Sequence, residues 1–141
     1  MTEPTVNEPA FWQGLYEGQG DRWELGGPAP PLVEYLAAHP RLPGEPEGGG
    51  EPEAEGRRRR DQINIAVPGC GRGHDARLLA RKGYRVRAFD FADAPIREAQ
   101  ALAAQTGVDV AFEQRDVFGL AADYRGAFDG LWEYTCMCAT A

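Results

Sequence analysis

The sequence predicts an α/β fold built on a doubly wound parallel sheet, and three observations lead to this prediction. A short apolar run, a glycine-rich turn and a helical pattern follow one another from Ile63 to Asp75. Strand and helix patterns then alternate along the chain, which is typical of parallel sheets with right-handed crossovers. Polar or acidic residues stand where the predicted strands end, and ligands bind at that edge of such sheets.

The composition suits one domain without a nucleic-acid or membrane partner. The chain has 141 residues, 43% of them hydrophobic, and a net charge of −7 that disfavours binding to phosphate backbones or anionic lipid. No apolar run approaches the roughly 20 residues of a membrane span, and the start of the chain lacks a signal pattern. The three cysteines are too few for a disulfide scaffold. We therefore expect a cytoplasmic protein.

Two short helices and a loop are predicted in the N-terminal segment, residues 8–40. The first helix runs from Glu8 to Gly18 with an aromatic stripe that includes Trp12 and Tyr16. Glycines and prolines around Trp23 forbid regular structure there. A second helix follows from Pro30 to His39.

Residues 43–61 are predicted to be a disordered linker within a single domain that spans residues 1–141. Glycine, glutamate and proline dominate this stretch, which ends in four arginines, Arg57 to Arg60. Such a composition cannot form a core, and the glutamates compensate the arginines. The part before the linker is too small to fold alone.

The glycine-rich turn predicts a cofactor loop. Gly69, Gly71 and Gly73 let the backbone turn sharply against a ligand, at the start of a helix whose N–H groups are free. Asp90 ends the next predicted strand about 20 residues later, where dinucleotide-type folds hold a ribose hydroxyl pair. His74 stands where the dinucleotide pattern requires its third glycine. A nicotinamide-dependent oxidoreductase and a turn without ligand stay as alternatives.

The remaining elements complete the alternation. We predict helices at Asp75–Gly83 and Asp93–Thr106, the latter capped by Asp93, strands at Tyr84–Asp90, Val108–Phe112 and Ala127–Glu133, and a turn or short helix at Gly119–Tyr124. Asp116 and Glu133 then join the glycine loop and Asp90 at the ligand-binding edge of the sheet.

Three stretches together resemble the thiopurine S-methyltransferase family, in its bacterial branch that also resembles the plant halide and thiol methyltransferases. They are Asp-Arg-Trp-Glu-Leu-Gly-Gly-Pro-Ala-Pro-Pro at 21–31, Val-Pro-Gly-Cys-Gly-Arg-Gly-His-Asp at 67–75 and Trp-Glu-Tyr-Thr-Cys-Met-Cys-Ala at 132–139. The resemblance implies a Rossmann-like class I methyltransferase sheet with strand order 3-2-1-4. It also implies S-adenosylmethionine as the methyl donor.

The resemblance further implies which residues contact the cofactor. Segment 8–40 would cover it, with Gly69 at its methionine part, Asp90 at its ribose, Asp116 and Val117 around its adenine and Tyr134 near the transferred methyl. The predicted cofactor-binding residues are Trp12, Tyr16, Trp23, Gly69, Cys70, Gly71, Asp90, Phe91, Asp116, Val117 and Tyr134.

The implied reaction is in-line displacement of the sulfonium methyl by a small soft nucleophile: a thiol, thiopurine, halide or chalcogen oxyanion. Such an acceptor needs no strong general base, because positioning provides most of the rate, and we assign no catalytic residue. We favour a structural hydrogen bond over base catalysis for His74. We also favour packing over metal binding for Cys136 and Cys138, since two thiols alone make a weak site.

The family fold continues with further helices and three more strands, so we expect this chain to be incomplete after its fourth strand. That strand, with Phe128, Leu131 and Trp132, would then form a bare apolar edge that favours self-association. A non-catalytic or partner-completed cofactor-binding module is the alternative function.

Overall fold

The structure, a computed structural model, describes residues 2–42, 45 and 59–139. It is an α/β fold with a four-stranded parallel sheet in the order β3-β2-β1-β4, which confirms the predicted strand order. The elements in chain order are α1 (Pro9–Glu17), α2 (Pro30–Ala38), β1 (Asn64–Pro68), α3 (His74–Arg81), β2 (Arg85–Asp90), α4 (Asp93–Thr106), β3 (Ala111–Gln114), α5 (Leu120–Tyr124), β4 (Gly130–Leu131) and α6 (Cys136–Ala139).

The central pair of strands, β1 and β2, forms the core of the sheet. Their apolar residues are buried, which is typical of parallel strands that are covered on both faces. Ile65 and Val67 of β1 and Val86 of β2 pack against Leu79 of α3 in one cluster. Burial of these side chains drives the pairing and fixes which residues of the two strands lie opposite each other.

The register of the sheet brings the carboxyl ends of its strands together. Pro68 at the end of β1 lies opposite Phe89 of β2, and Asp90 lies opposite Gln114 at the end of β3. The Cys70 N–H, in the loop after β1, donates to the Phe89 carbonyl at 2.8 Å. The glycine loop therefore lies beside Asp90 because of the strand register.

Two strands and one helix cap differ from the sequence prediction. Val108 does not begin β3, because its N–H donates to Ala103 O at the end of α4, and pairing with β2 starts only at Ala111. Strand β4 is shorter than predicted: Gly130 and Leu131 pair with β1, and the flanking Asp129 and Trp132 N–H groups donate to it. Ala127 is held in a turn by its hydrogen bond to Tyr124 O. Asp93 does not cap α4; it is the first helical residue and pairs with Arg97.

The predicted linker at 43–61 lies largely outside the described residues, which include Glu45 and residues 59–61 of it. Arg60–Gln62 form a 3-10 turn. The Arg60 guanidinium donates to Glu45 Oε1 at 2.6 Å, to Lys82 O at 2.9 Å and to Pro40 O at 2.7 Å. Arg60 therefore contacts two separate parts of the chain, one at Pro40 and Glu45 and the other at Lys82 after α3. Disorder in the rest of the linker stays a prediction.

The predicted apolar edge is narrower than expected. Leu131 is 65% exposed on β4. Phe128, however, packs edge-on against Phe89 at a centroid distance of 6.1 Å, and the Trp132 indole is half-buried and hydrogen-bonded. The edge therefore presents one large apolar side chain rather than three, and self-association through it stays a prediction.

The left-handed glycines permit a test of the loop packing. Gly73→Ala is expected to lower the free energy of unfolding by about 2–4 kcal/mol, since a left-handed alanine is strained and its Cβ overpacks the core. Gly73 has a φ of +74°, and an added Cβ would lie 2.7 Å from Phe112 Cε1.

Gly107→Ala is the matched control. Gly107 shares the left-handed backbone, with a φ of +66°, but an added Cβ has no neighbour within 4 Å. This variant should lose only about 1 kcal/mol, the strain of the backbone alone. Denaturant unfolding measures both losses, and equal losses would contradict the predicted collision with Phe112.

Candidate functional site

The site is built around the loop between β1 and α3. Gly69, Gly71 and Gly73 all have left-handed backbones, with φ of +60°, +54° and +74°. The Gly71 N–H donates to Asp90 Oδ2 at 2.9 Å, and the Ala92 N–H donates to Asp90 Oδ1 at 3.0 Å. The Asp90 carboxylate thus holds the loop in place.

Asp90 is an unusual carboxylate because only 7% of its surface is exposed. Burial raises the pKa of Asp90, and the hydrogen bonds from Ala92 and Gly71 partly oppose that shift. A ligand that donates hydrogen bonds here would restore the solvation that the carboxylate lacks. Ribose hydroxyls are such donors.

A cavity of about 400 Å³ opens beside the loop and Asp90. All eleven predicted cofactor-binding residues line it. They come from α1, the loop after it, the ends of β1, β2 and β3, and the segment after β4. The sequence therefore predicted a set of residues that the fold brings to one place.

Three aromatic side chains of the N-terminal segment line this cavity. Trp12 and Tyr16 meet Trp23 edge to face, at centroid distances of 5.8 and 5.6 Å. The Trp23 indole N–H donates to the Tyr16 hydroxyl at 3.3 Å, and that hydroxyl lies against Gly71. Burial, and next the charge of Asp90, raise the pKa of Tyr16, so its phenol stays neutral.

The residues predicted around the adenine, Asp116 and Val117, and near the methyl, Tyr134, line the cavity together with Phe91. Phe91 and Val117 are half-buried after β2 and β3. Asp116 is exposed, and its carboxylate accepts the Phe118 N–H at 2.9 Å, so it caps the turn at Val117–Gly119. Tyr134 follows β4 and is partly exposed at the cavity.

Gly69 has a packing role that the sequence did not indicate. A Cβ at this position would lie within 2.6 Å of both Cys136 Sγ and Cys136 Cβ, so only glycine permits α6 to approach the loop. Burial, and next the charges of Asp90 and Glu133, raise the pKa of Cys136 to about 11. The thiol facing the cavity is therefore protonated at neutral pH.

His74 is fixed between two charged partners. Its Nδ1 lies 2.8 Å from Arg77 Nη2, and its Nε2 lies 2.6 Å from Glu24 Oε1. A guanidinium can only donate, so Nδ1 accepts and the ring proton is on Nε2, donated to Glu24. With both nitrogens engaged, His74 serves as a structural hydrogen-bonding residue, as expected from the sequence.

Asp75 is a site residue whose contacts sequence reasoning missed. The sequence identifies it only as the first residue of the predicted helix Asp75–Gly83. Its Oδ1 accepts the Ala29 N–H at 2.7 Å, and its Oδ2 accepts the Trp132 indole N–H at 2.8 Å. It joins the N-terminal segment to the end of β4, and no local pattern signals contacts to residues 46 and 57 positions away.

Two further properties concern the described residues only. Within 2–42, 45 and 59–139, no group of three or more histidine, cysteine or acidic residues is arranged to hold a metal ion. None of the helices in this part of the chain combines the length and apolar character that a bilayer crossing requires.

Comparison with known proteins decides the family. The model of the family described as Thiopurine S-methyltransferase (TPMT) matches residues 55–141, more than half of the chain. The chain belongs to the thiopurine S-methyltransferase family. This confirms the resemblance stated from the three sequence motifs, and it favours S-adenosylmethionine, the methyl donor of this family, over a nicotinamide dinucleotide.

Individual relatives agree on the enzyme class and the fold. A ubiquinone biosynthesis O-methyltransferase of Xanthomonas axonopodis pv. citri is 31% identical over 122 residues, which cover 82% of this chain and 42% of the relative. The structure titled "Conversion of a Disulfide Bond into a Thioacetal Group during Echinomycin Biosynthesis" matches 89% of this chain and 46% of that chain, with a TM-score of 0.69 and 24% identity. TehB from Haemophilus influenzae has a TM-score of 0.53 at 13% identity, over 77% of this chain and 30% of its own. At these identities, the two structures show the fold alone.

Asp75 provides a test of how the site is assembled. Asp75→Ala is expected to lower the free energy of unfolding by about 2–4 kcal/mol, because it leaves the Ala29 and Trp132 N–H groups without their acceptor. Asp93→Ala is the control, since Asp93 also lies in the first turn of its helix but has an exposed i,i+4 pair with Arg97. Its loss should be about 0.5 kcal/mol. Similar losses in denaturant unfolding would contradict the role of Asp75.

The raised pKa of Cys136 predicts slow alkylation at neutral pH. Since the thiolate reacts and the thiol does not, the rate with iodoacetamide should rise about tenfold per pH unit between about pH 8 and pH 10. The rise follows from a pKa of about 11. Peptide mass spectrometry measures the rate, with Cys136→Ser to assign the peptide. A rate that levels off below about pH 9 would show that the thiol is not protected.

Proposed function

We propose that this chain binds S-adenosylmethionine in the cavity beside Asp90 and serves in methyl transfer to a small soft nucleophile. One observation carries the proposal: the glycine loop, the buried Asp90 carboxylate and the aromatic cover of Trp12, Tyr16 and Trp23 meet in a single cavity. The chain spans 42% of the length of the ubiquinone biosynthesis O-methyltransferases it matches first, so the activity of the whole protein is part of the proposal.

The residues present fit this cofactor. The cavity volume of about 400 Å³ lies within the range of about 300–1,000 Å³ that is usual for small-molecule sites. Asp90 would accept hydrogen bonds from the ribose hydroxyls, while Phe91 and Val117 offer apolar surface for the adenine. Gly69, Cys70 and Gly71 would lie along the methionine part, with Tyr134 near the methyl. When bound, S-adenosylmethionine supplies an electrophilic sulfonium methyl.

The hydrogen bonds of three cavity side chains support the proposal of a soft-nucleophile acceptor. Among the described residues of the lining, both nitrogens of His74 and both carboxylate oxygens of Asp75 and of Asp90 are engaged in hydrogen bonds. His74 and Asp75 are used in contacts within the fold and Asp90 in the proposed ribose contacts, so we assign none of these three groups as a base. A thiolate or halide carries its own reactive electron pair, so it needs alignment rather than a base.

An oxygen acceptor is the competing possibility, because the curated relatives are named O-methyltransferases. A phenol must lose its proton during transfer, whereas an aromatic thiol is already largely ionised near neutral pH. Methyl transfer from S-adenosylmethionine to an aromatic thiol and to the phenol with the same ring separates the two. We expect the thiol to react faster.

Cofactor binding is tested first, by calorimetric titration with S-adenosylhomocysteine. The folded chain should bind it, and NADH under the same conditions should not bind. Asp90→Ala should weaken binding by about 1.5–3 kcal/mol, the usual worth of a charged hydrogen-bonding group. A folded wild-type chain without affinity for S-adenosylhomocysteine would overturn the proposal.

Asp109→Ala is the control for Asp90→Ala. Asp109 is exposed between α4 and β3 and does not line the cavity, so its loss should leave binding unchanged. Circular dichroism of each variant is needed, because Asp90 also holds the Gly71 and Ala92 N–H groups. Unchanged affinity in a folded Asp90→Ala variant would remove Asp90 from the cofactor site.

A further inference from the structure

Arg72 lies in the middle of the glycine loop, between Gly71 and Gly73. The proposed cofactor contacts do not include it, yet its side chain contacts other parts of the chain. Its Nη1 pairs with Asp21 Oδ2 and, at 3.2 Å, with Glu24 Oε2. Its Nε pairs with Glu98 Oε2 at 2.5 Å. One guanidinium therefore joins the loop after α1, the cofactor loop and α4.

These ion pairs are partly removed from solvent. The Arg72 side chain is 18% exposed and that of Asp21 is 9% exposed. The guanidinium also lies over the Tyr16 ring, 5.3 Å from its centroid. Burial alone would lower the pKa of Arg72, but its hydrogen bonds to Asp21, Glu98 and Glu24 raise it. Removing one partner from such a cluster is costly, because the others are left buried and uncompensated.

The segment that Arg72 holds is the one that covers the cavity. We call residues 20–29 the cover loop; it contains Trp23, whose ring packs on Trp12 and Tyr16. Its far end is held by the Ala29 N–H on Asp75. In its middle, the Glu24 carboxylate contacts the side chains of Arg72 and His74. The ionic contacts on Arg72 and His74 therefore lie next to Trp23.

We propose that Arg72 is a positioning residue that fastens the cover loop over the cofactor cavity, and that cofactor exchange requires its contacts with Asp21 and Glu24 to break. The inference rests on the proposed cofactor site. A ligand under the aromatic cover cannot leave until that cover moves, and closure of such segments commonly sets exchange rates. Arg72 acts on the cofactor through Trp23 and Tyr16, not by contact.

The alternative is that Arg72 binds the cofactor carboxylate directly, and the two roles make opposite predictions. If Arg72 fastens the cover loop, the double variant Asp21→Asn/Glu24→Gln, which removes the charges of the two carboxylates, should loosen the loop and speed cofactor release. The same change releases the guanidinium for a direct contact and would leave cofactor affinity unchanged or improved. The amides keep the shape and most hydrogen bonds of the side chains but lose their charge.

The first measurement is hydrogen exchange of the ligand-free protein, followed by mass spectrometry. In Arg72→Gln, peptides from residues 12–29 should exchange at least about tenfold faster than in the wild type, because a cooperative segment opens more often when its charged contacts are lost. Peptides of β1 and β2 should be unaffected. Arg97→Gln is the control, because it removes only the exposed ion pair with Asp93 on α4. It should leave the exchange of both sets of peptides unchanged.

The second measurement is the dissociation rate of S-adenosylhomocysteine, followed by tryptophan fluorescence. Arg72→Gln and Asp21→Asn/Glu24→Gln should both release it at least about tenfold faster, and Arg72→Lys should restore part of the loss because it retains the charge. The inference would be overturned if folded Arg72→Gln showed unchanged hydrogen exchange in residues 12–29 and an unchanged dissociation rate of S-adenosylhomocysteine. Tighter binding of S-adenosylhomocysteine by the double variant would also overturn it.

Two further outcomes keep the inference separate from the proposed function. If Arg72→Gln does not fold, the single variant Asp21→Asn decides the question, because it weakens a contact to Arg72 and leaves both the Glu24–His74 and the Arg72–Glu98 pairs in place. If the folded wild type does not bind S-adenosylhomocysteine, the proposed function fails. The exchange of residues 12–29 in the ligand-free variants then decides whether Arg72 fastens the cover loop.

Discussion

The hydrogen bond from the Gly71 N–H to the Asp90 carboxylate is the contact around which the site is arranged. It exists because β1 and β2 are paired with Pro68 opposite Phe89, which places the loop after one strand beside the last residue of the other. A slip of one residue would turn the Asp90 side chain to the opposite face of the sheet. The apolar residues of the two strands prevent that slip, so the core determines the geometry of the site.

The parts of the structure that could be predicted are those with local signals. Positive φ at Gly69, Gly71 and Gly73 follows from what glycine alone tolerates, and the strands of the central pair follow from short apolar runs. The position of Asp90 follows from the length of one helix and one strand. Strand order and the aromatic cover came from the family resemblance, which depends on motifs rather than on periodicity.

The parts that could not be predicted depend on contacts between distant residues. Arg72 and Asp75 lie in a motif that indicates a cofactor loop, yet their side chains bind Asp21 and Ala29, 51 and 46 positions away. Arg60 belongs to a run that composition assigns to a linker, and its partners lie in two other segments, at Pro40 and Glu45 and at Lys82. The limits of β3 and β4 likewise depend on which residues find a partner strand. No pattern along the chain encodes such pairings.

The burial of Asp90 in the fold and its proposed role in binding favour opposite charge states of the carboxylate. The pKa of Asp90 is raised, so the folded state binds the carboxyl proton more tightly than the unfolded chain does. The stability that the protonated carboxyl group contributes is therefore lost as the pH rises through the pKa of the folded state. At neutral pH the charged form therefore costs folding free energy. Hydroxyl donors of a bound ribose would stabilise the charged form and lower that pKa. Cofactor binding and deprotonation of Asp90 would then reinforce each other, because the buried charge that costs folding free energy is the one that the ribose hydroxyls would compensate.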